Sequence, residues 1–454
     1  MNRMEEYEAM RKALETVPPS DCVQKAIRRQ SRKKAVVRTL ISCVVVLLLF
    51  TGTVNLFPTV AAACGQIPFL AELTELLTFR PSVQEMVDNA YLQPVEQERS
   101  SGGITARVEY LIVDQKQVNL YYRLFSDTYD SLSATPELRD RQGEQVSAVV
   151  SSCGGYDGNE DLREITVDFM EADVPESLSL TLNIYDNGSD SVPVPMEDPE
   201  DLFEPEKPEP LVCLTFPLTF DPRFTEQGRT EVLNQPMELD GQKFTITKLE
   251  IYPSHIRIHV EQSPENTAWL KDLHFYLELD NGKHVEEIAD GISASGSQDN
   301  PAMTIYRAES SYFAQAQCIR LVVTGADFLD KDREQVQLRL KTLAHDPLPE
   351  GVELADAHLG KQGWVLNFAI RNTEENHIQA FGSQYEDTQG RSYESSRYSS
   401  SVVLYDRETE EEREGWGEET YYLDGFYGDV VNLHANYSRF WIPAIPVMVE
   451  LQSE

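Results

Sequence analysis

Any chemistry this chain performs must come from a small set of residues. His255 and His259, in "HIRIHV", stand four apart, the spacing that brings two imidazoles to one metal when the backbone is helical. The alternation of apolar and polar residues around them reads as a strand instead. There, side chains four apart share a face but are too distant for one ion, so both are read as histidines on a polar strand face. Asp157, Asn159 and Asp161 in "DGNED" match the opening of a calcium loop, yet positions six and twelve, which should be Gly and Glu, are Leu162 and Asp168. That segment is read as an acidic turn. The sequence has no Gly-x-Ser-x-Gly, no phosphate-cradling glycine loop ahead of a helix and no His-Glu-x-x-His. Cys22, Cys43, Cys64, Cys153, Cys213 and Cys318 lie at long, irregular spacings, without a Cys-x-x-Cys or a zinc-type Cys/His pair. They are read as isolated thiols, with Cys153 and Cys213 the exception to consider as a disulfide. Neither an enzyme, a metal nor a cofactor is expected. One aromatic group is a candidate for binding: Trp416, at the tip of "DRETEEEREGWGEET", with Tyr421, Phe426 and Tyr427 around "DGFYGD". As an exposed patch beside carboxylates it would suit a sugar polymer or a cationic ligand; otherwise these rings fill a core.

The charge distribution decides which partners are possible. Residues 1–38 hold ten Lys and Arg against five Asp and Glu, a balance of +5 in a chain whose total is −37, so the remainder carries −42. A surface that acidic repels phosphates, and no nucleic acid partner is expected for it. No charged side chain occurs from Thr39 to Ala71, and residues 40–57, "LISCVVVLLLFTGTVNLF", are almost wholly apolar. With Val36 and Val37 this makes a run of about twenty residues, enough to cross ~30 Å of hydrocarbon as a helix. Lys25, Arg28, Arg29, Arg32, Lys33, Lys34 and Arg38 precede it, whereas Glu72 and Glu75 follow. The positive-inside rule then places residues 1–35 in the cytoplasm and residues 58–454 outside the cell membrane, with the basic cluster against membrane lipid. "AAAC" at 61–64 resembles a processing site, but Ala61 stands where a lipobox wants Leu, and the basic leader is long for a removable signal. The helix is therefore expected to be retained.

The elements on either side follow from periodicity. In the cytoplasmic tail Tyr7, Met10, Leu14 and Val17 recur at helical spacing until Pro18 and Pro19 stop the helix. This stripe either docks in a groove of a partner protein or lies on the membrane surface. Short helices are expected at "IPFLAELTELLTF" and at "SVQEMVDNAYL", the second starting at Ser82 as its N-cap. Beyond them the chain reads as β. Residues 103–124, 243–262 and 351–372 each give two alternating strands with a short break. Each pair is followed by a charged, glycine-bearing turn at 138–146, 279–285 or 385–393, which signals a hairpin. The repeat is too long for a solenoid, so each copy is a domain. Three tandem immunoglobulin-like β-sandwiches are expected, at 96–225, 230–345 and 346–454. They follow the tail at 1–35, the membrane helix at 36–57 and the flanking helices at 58–95. The acidic, proline-rich stretch 192–210 is either a linker or a long loop of the first sandwich.

Val54, Asn55 and Pro58, then Ile67, Pro68 and Leu70, then Gln93, Pro94, Val95, Gly103, Ile104 and Thr105 carry a resemblance. The chain resembles a Gram-positive family with a domain-of-unknown-function ectodomain behind one membrane helix, often with an immunoglobulin-like companion domain. Such proteins are described as anti-sigma-factor-like. The resemblance implies a membrane-anchored regulator whose outer domains sense envelope state and whose tail binds an extracytoplasmic-function sigma factor. The tail differs from zinc-binding anti-sigma domains in having no His and only Cys22. The alternative is a surface protein with an inert anchor that binds an extracellular polymer or other ligand through the aromatic patch.

Overall fold

The structure, a computed structural model, describes residues 80–452 except 154–160, 188–208, 226–227, 290–291, 297–299, 315, 372–378, 396 and 405–412, together with residues 4, 7, 8, 11 and 12. The chain divides into two compact units, Met1–Ala71 and Glu72–Glu454. In the first, the five described residues are helical and exposed. Among the described residues no helix is long and apolar enough to cross a membrane, and the apolar run at 36–57 lies outside them. The second unit is mainly β.

It begins with α1 (Pro81–Asp88). Pro81 takes the first helical position, where its missing N–H costs nothing, and Arg80 is the N-cap. Ser82 is therefore not the N-cap expected from the sequence, and its hydroxyl is spent elsewhere. The helix ends in a reciprocal pair of hydrogen bonds, Tyr91 N to Met86 O and Ala90 N to Val87 O, with Ala90 at φ 66°.

The first body holds β1 (Leu92–Ser101), β2 (Ile104–Val113), β3 (Gln117–Ser126), β4 (Leu132–Arg139), β5 (Val149–Cys153), β6 (Arg163–Asp168), β7 (Ser177–Asp186) and β8 (Val212–Thr219), then the short α2 (Pro222–Thr225). One sheet runs β1-β2-β3-β6-β5 and the other β4-β7-β8. Their inner faces share a core that includes Val108, Leu120, Leu182 and Phe216. β7 and β8 are antiparallel neighbours from Ser177↔Thr219 to Ile184↔Val212. The acidic stretch 192–210, which lies mostly outside the described residues, thus connects adjacent strands of one sheet. Cys213 on β8 carries an exposed free thiol, so no disulfide joins it to Cys153.

The second body follows with β9 (Arg229–Leu239), β10 (Gln242–Ile251), β11 (Ile256–Gln262), β12 (Ala268–Leu279), β13 (His284–Glu286), β14 (Ala294–Gly296), β15 (Met303–Ala308) and β16 (Ile319–Asp330). The third contains β17 (Gln335–Arg339), β18 (Ala344–His345), β19 (Val352–Leu359), β20 (Gly363–Arg371), β21 (Phe381–Asp387), β22 (Ser392–Glu394), β23 (Tyr398–Ser401), β24 (Trp416–Asp424) and β25 (Val430–Ala435). The chain closes with β26 (Arg439–Trp441) and β27 (Val447–Gln452). The three strand pairs read from the sequence are all present as antiparallel pairs, β2 with β3, β10 with β11 and β19 with β20. The three glycine turns are present too. Gly143, Gly282 and Gly390 all have φ between 73° and 86°, and Asp140, Asn281 and Asp387 accept the backbone N–H groups that close them.

Two stretches lie in a different body from the one the sequence repeat suggests. "EQVQLRL" was expected to close the second β-unit, but β17 pairs with β25 and buries Val336, Leu338 and Leu340 in the third core. The C-terminal strands, expected in the third unit, return to pair with β16. There Val449 and Leu451 join the second core, beside Leu277 and Leu321. Both stretches alternate equally well, so the pattern fixes which face is buried but not which core receives it. Truncating Leu451 to Ala should cost about 2–5 kcal/mol. Hydrogen exchange should then rise in β10, β12 and β16 ahead of β20 and β24; the opposite order would contradict the placement.

Candidate functional site

The strongest concentration of buried charge lies where α1, the first body and the second body meet. On β11 the alternation sends Ile256, Ile258 and Val260 into the second core and leaves His255, Arg257 and His259 on the other face. The two histidines were read as lying on a polar strand face. His255 and Arg257 are instead fully buried, because β6 of the first body and its following turn cover them.

Asp168, at the end of β6, is the acceptor at the centre. Arg257 Nη2 donates to its Oδ1 at 2.6 Å, and Arg307 Nε donates to its Oδ2 at 3.1 Å. All three side chains are 0–1% exposed. Arg257 also donates to the carbonyls of Phe169 and Met170, and Arg307 to Ser295 Oγ and Met170 Sδ. Asp168 is therefore committed as a buried anion between two guanidiniums, which removes it from any calcium loop.

A relay of donors runs sideways from this pair. Arg257 Nε donates to His255 Nε2 at 2.8 Å, so that nitrogen is an acceptor and the imidazole is neutral. Its proton sits on Nδ1, 2.6 Å from Ser254 Oγ, and Ser254 in turn bonds the Asp114 carboxylate. Burial first, and then Arg257 and Arg307, hold the His255 pKa well below the usual histidine range. Asp114 lies at the turn between β2 and β3. It accepts the N–H groups of Lys116 and Gln117 in its own body and that of Ser254 in the second. Even so, burial raises its pKa.

α1 is gripped by both bodies. Arg80 Nη1 bonds Glu164 at 2.5 Å and Thr166 at 3.2 Å on β6, and Tyr121 also donates to Glu164. Ser82 N donates to Glu309 at 2.8 Å, its hydroxyl also bonds Glu309, and Ser310 N donates to that hydroxyl at 2.5 Å. Tyr91 packs between Phe224 and Phe313, with ring centroids 4.7 and 5.7 Å away. The arrangement holds α1 and two β-bodies in one register.

The residues singled out from the sequence fall elsewhere. Tyr7 is helical and exposed; Met10, Leu14, Val17 and the cluster from Lys25 to Arg38 lie outside the described residues. The aromatic patch does not assemble. Tyr421 and Phe426 are buried in the third core, Trp416 is half-covered by the Arg413 guanidinium 3.6 Å from its ring, and only Tyr427 of the four is fully exposed. On β24 Tyr421 has the same parity as Gly417 and Leu423, all facing inward, which a run of adjacent aromatics conceals. Among the described residues, one group brings metal-type donors together: Asp272, His274 and Asp327.

Substituting Asp168 by Asn should leave two buried guanidiniums without a counter-charge and cost about 3–5 kcal/mol in urea unfolding. A loss within that of a typical surface change would remove the site's central role. The neutral His255 gives a second expectation. Unfolded, a histidine titrates near 6.5; folded, this one resists the proton. Below that pH the unfolded state binds more protons, so stability falls as pH drops from about 7 towards 5. Asp114 and Glu309, whose pKa values are raised by burial, act in the opposite direction at lower pH. His255→Gln should flatten the slope between pH 5 and 7 relative to the parent; an unchanged slope would show that another group sets it.

Two family descriptions match parts of the chain. Residues 31–126 match a domain of unknown function (DUF4179), and residues 229–344 match a family of unknown function (DUF5643). The first match runs from the basic tail through β3. The second covers β9 to β17 and ends before β26 and β27. No curated protein matches the chain. Among solved structures, the conserved domain protein from Bacillus anthracis is similar over 58% of this chain and 82% of that one, at 14% identity and a TM-score of 0.39. The chain is thus similar to two families of unknown function, and its second unit is mainly β.

Proposed function

We propose that this chain is a single-pass membrane regulator of anti-sigma-factor type. In this reading residues 36–57 cross the membrane and residues 1–35 bind an extracytoplasmic-function sigma factor in the cytoplasm. The β-bodies, taken as immunoglobulin-like, sense the state of the envelope or an extracellular ligand there. The apolar, charge-free run after a basic cluster supports the span. The DUF4179 match passes without a break from residue 31 through the Ala-Ala-Ala-Cys segment into β3, which supports retention of the helix.

The observation that carries the regulatory reading is the grip on α1. An inert anchor needs only a loose tether between the membrane and the folded exterior. Here Arg80 and Ser82, near the start of the described outer unit, are bound respectively to the first body at Glu164 and to the second at Glu309 and Ser310. A change in how the two bodies meet therefore changes the hold on the chain leading back to residue 57. In the tail, Tyr7, Met10, Leu14 and Val17 would form the apolar stripe seated in the sigma factor, and the basic cluster would hold it near anionic lipid. The binding-protein alternative gains nothing from an aromatic patch of which two members are core.

The test is a reporter of the sigma factor's regulon in cells carrying full-length variants. Leu14→Ala with Val17→Ala should free the sigma factor and switch the reporter on without stress. Arg80→Ala with Ser82→Ala should do the same, to a smaller extent, while membrane levels of the protein stay normal. A silent reporter for the tail variant, with no sigma factor retained on membranes, would end the anti-sigma reading. Induction by the tail variant alone would end the role of the α1 grip.

A further inference from the structure

On the second body, away from the buried junction, three carboxylates surround one imidazole. Asp272 and His274 are two apart on β12, and Asp327 lies opposite Asp272 on β16. His274 Nε2 is 2.8 Å from Asp327 Oδ2, and the donor atoms of Asp272, His274 and Asp327 all lie within 4.8 Å of one another. Ligand atoms held at 2.0–2.2 Å around one ion are themselves about 3–4 Å apart, so little movement closes this set on a metal. Two bulges in the β12/β16 ladder, at Leu270/Asp272 and His274/Phe275, flank the group and bring neighbouring side chains together.

The supporting shell is also present. Metal-bound histidines usually give their second nitrogen to a carboxylate, and ligating carboxylates are themselves hydrogen-bonded. Here Glu287 Oε1 is 3.9 Å from His274 Nδ1, and Ser438 Oγ donates to Asp327 Oδ1 at 2.9 Å. Phe440 closes one side, its ring edge-on to the imidazole at 5.2 Å. Among the described residues no Lys or Arg pairs with any of the three carboxylates, and the imidazole of His274 is the basic group set among them. The other side remains open to solvent, with His274 36% and Glu287 37% exposed at the side chain.

We infer that Asp272, His274 and Asp327 form a binding site for one divalent first-row transition ion, with Glu287 and Ser438 orienting the ligands and solvent filling the remaining positions. One nitrogen with two carboxylate oxygens suits zinc or manganese better than calcium or a thiolate-seeking ion. Binding replaces the proton on His274 Nε2 with the metal and releases that proton to solvent. Because Ser438 and Phe440 belong to the returning C-terminal segment, the ion would also fasten that segment to β12 and β16.

Equilibrium dialysis of the full-length protein against zinc tests this, with cobalt absorbance as a second reading. One saturable equivalent is expected. His274→Ala and Asp327→Asn should remove it, and Glu287→Gln should weaken it about tenfold or more. The melting temperature of the parent should rise with zinc, and that of Asp327→Asn, nearly isosteric and metal-free, should not. No saturable zinc binding by the parent would overturn the site, as would equal binding by His274→Ala, which would place the ion elsewhere.

Discussion

Two guanidiniums and one carboxylate, all out of contact with water, set the terms for the rest of the β unit. Arg257 and Arg307 come from neighbouring strands of the second body, and Asp168 from the first. An arginine cannot shed its charge to escape burial, so each must be met by an anion and by enough acceptors for its five N–H groups. This requires β6 to end where it does, the turn at Phe169 and Met170 to turn its carbonyls inward, and β11 to present every second residue to it. Once those positions are set, His255 is left as an acceptor to Arg257, Ser254 as a link to Asp114, and the β2/β3 turn is fastened to the second body. The two bodies can meet in only one register, and α1 takes its place across their shared edge.

The second and third bodies are tied by chain path instead. β16 passes through the short turn at Lys331–Arg333 into β17 of the third body, and the chain comes back from β25 to β26 and β27 on the second. The faces of β16 serve both, with Phe328 in the second core and Leu329 in the third. Trp269 reinforces the passage, its Nε1 donating to Glu334 at 3.1 Å and its ring lying 4.1 Å from Lys331 Nζ. Exchange of strands couples these two bodies covalently in both directions, whereas the first two are coupled by charge across a surface.

How much of this was legible in the sequence depends on the range of the interaction. Local patterns were faithful: the three strand pairs and the three glycine turns rest on side-chain alternation and on turn residues, which act over a few positions. Assignments that needed long-range information were not. β17 and β27 alternate alike, and nothing in either says which core it enters. The set His255, Arg257 and His259 has the polarity of an exposed face, and only the first body's presence makes an interior of His255 and Arg257. The junction did leave one signal, arginine on the non-core face of a strand otherwise rich in Ile and Val, with Arg307 on β15 opposite Arg257. Two such arginines call for an acid elsewhere in the chain, and Asp168 was noticed only as a mismatch in a calcium pattern. The group around His274 was hidden for a similar reason, since its members come from three separate segments and none makes a spaced motif.

A buried charge network is an unusual way to join two β-bodies if adhesion is the only requirement. Replacing such groups by well-packed apolar residues is often neutral or stabilising, so their presence is weak evidence for strength. The more telling property is how they behave when parted. An apolar interface of this extent, once opened, would expose a sticky surface. A network of Arg, Asp, Glu and His, once opened, is taken up by water, so the desolvation cost that made it marginal when closed is returned. Such a joint closes in one geometry and reopens without inviting aggregation. Those are the properties a transmitting contact needs, and they bear directly on α1, whose Arg80 and Glu309 contacts share the same buried layer. The hydrophobic cores of the bodies, with Leu182, Leu277 and Leu366 each fully buried, are the packed supports between which the charged joint is held.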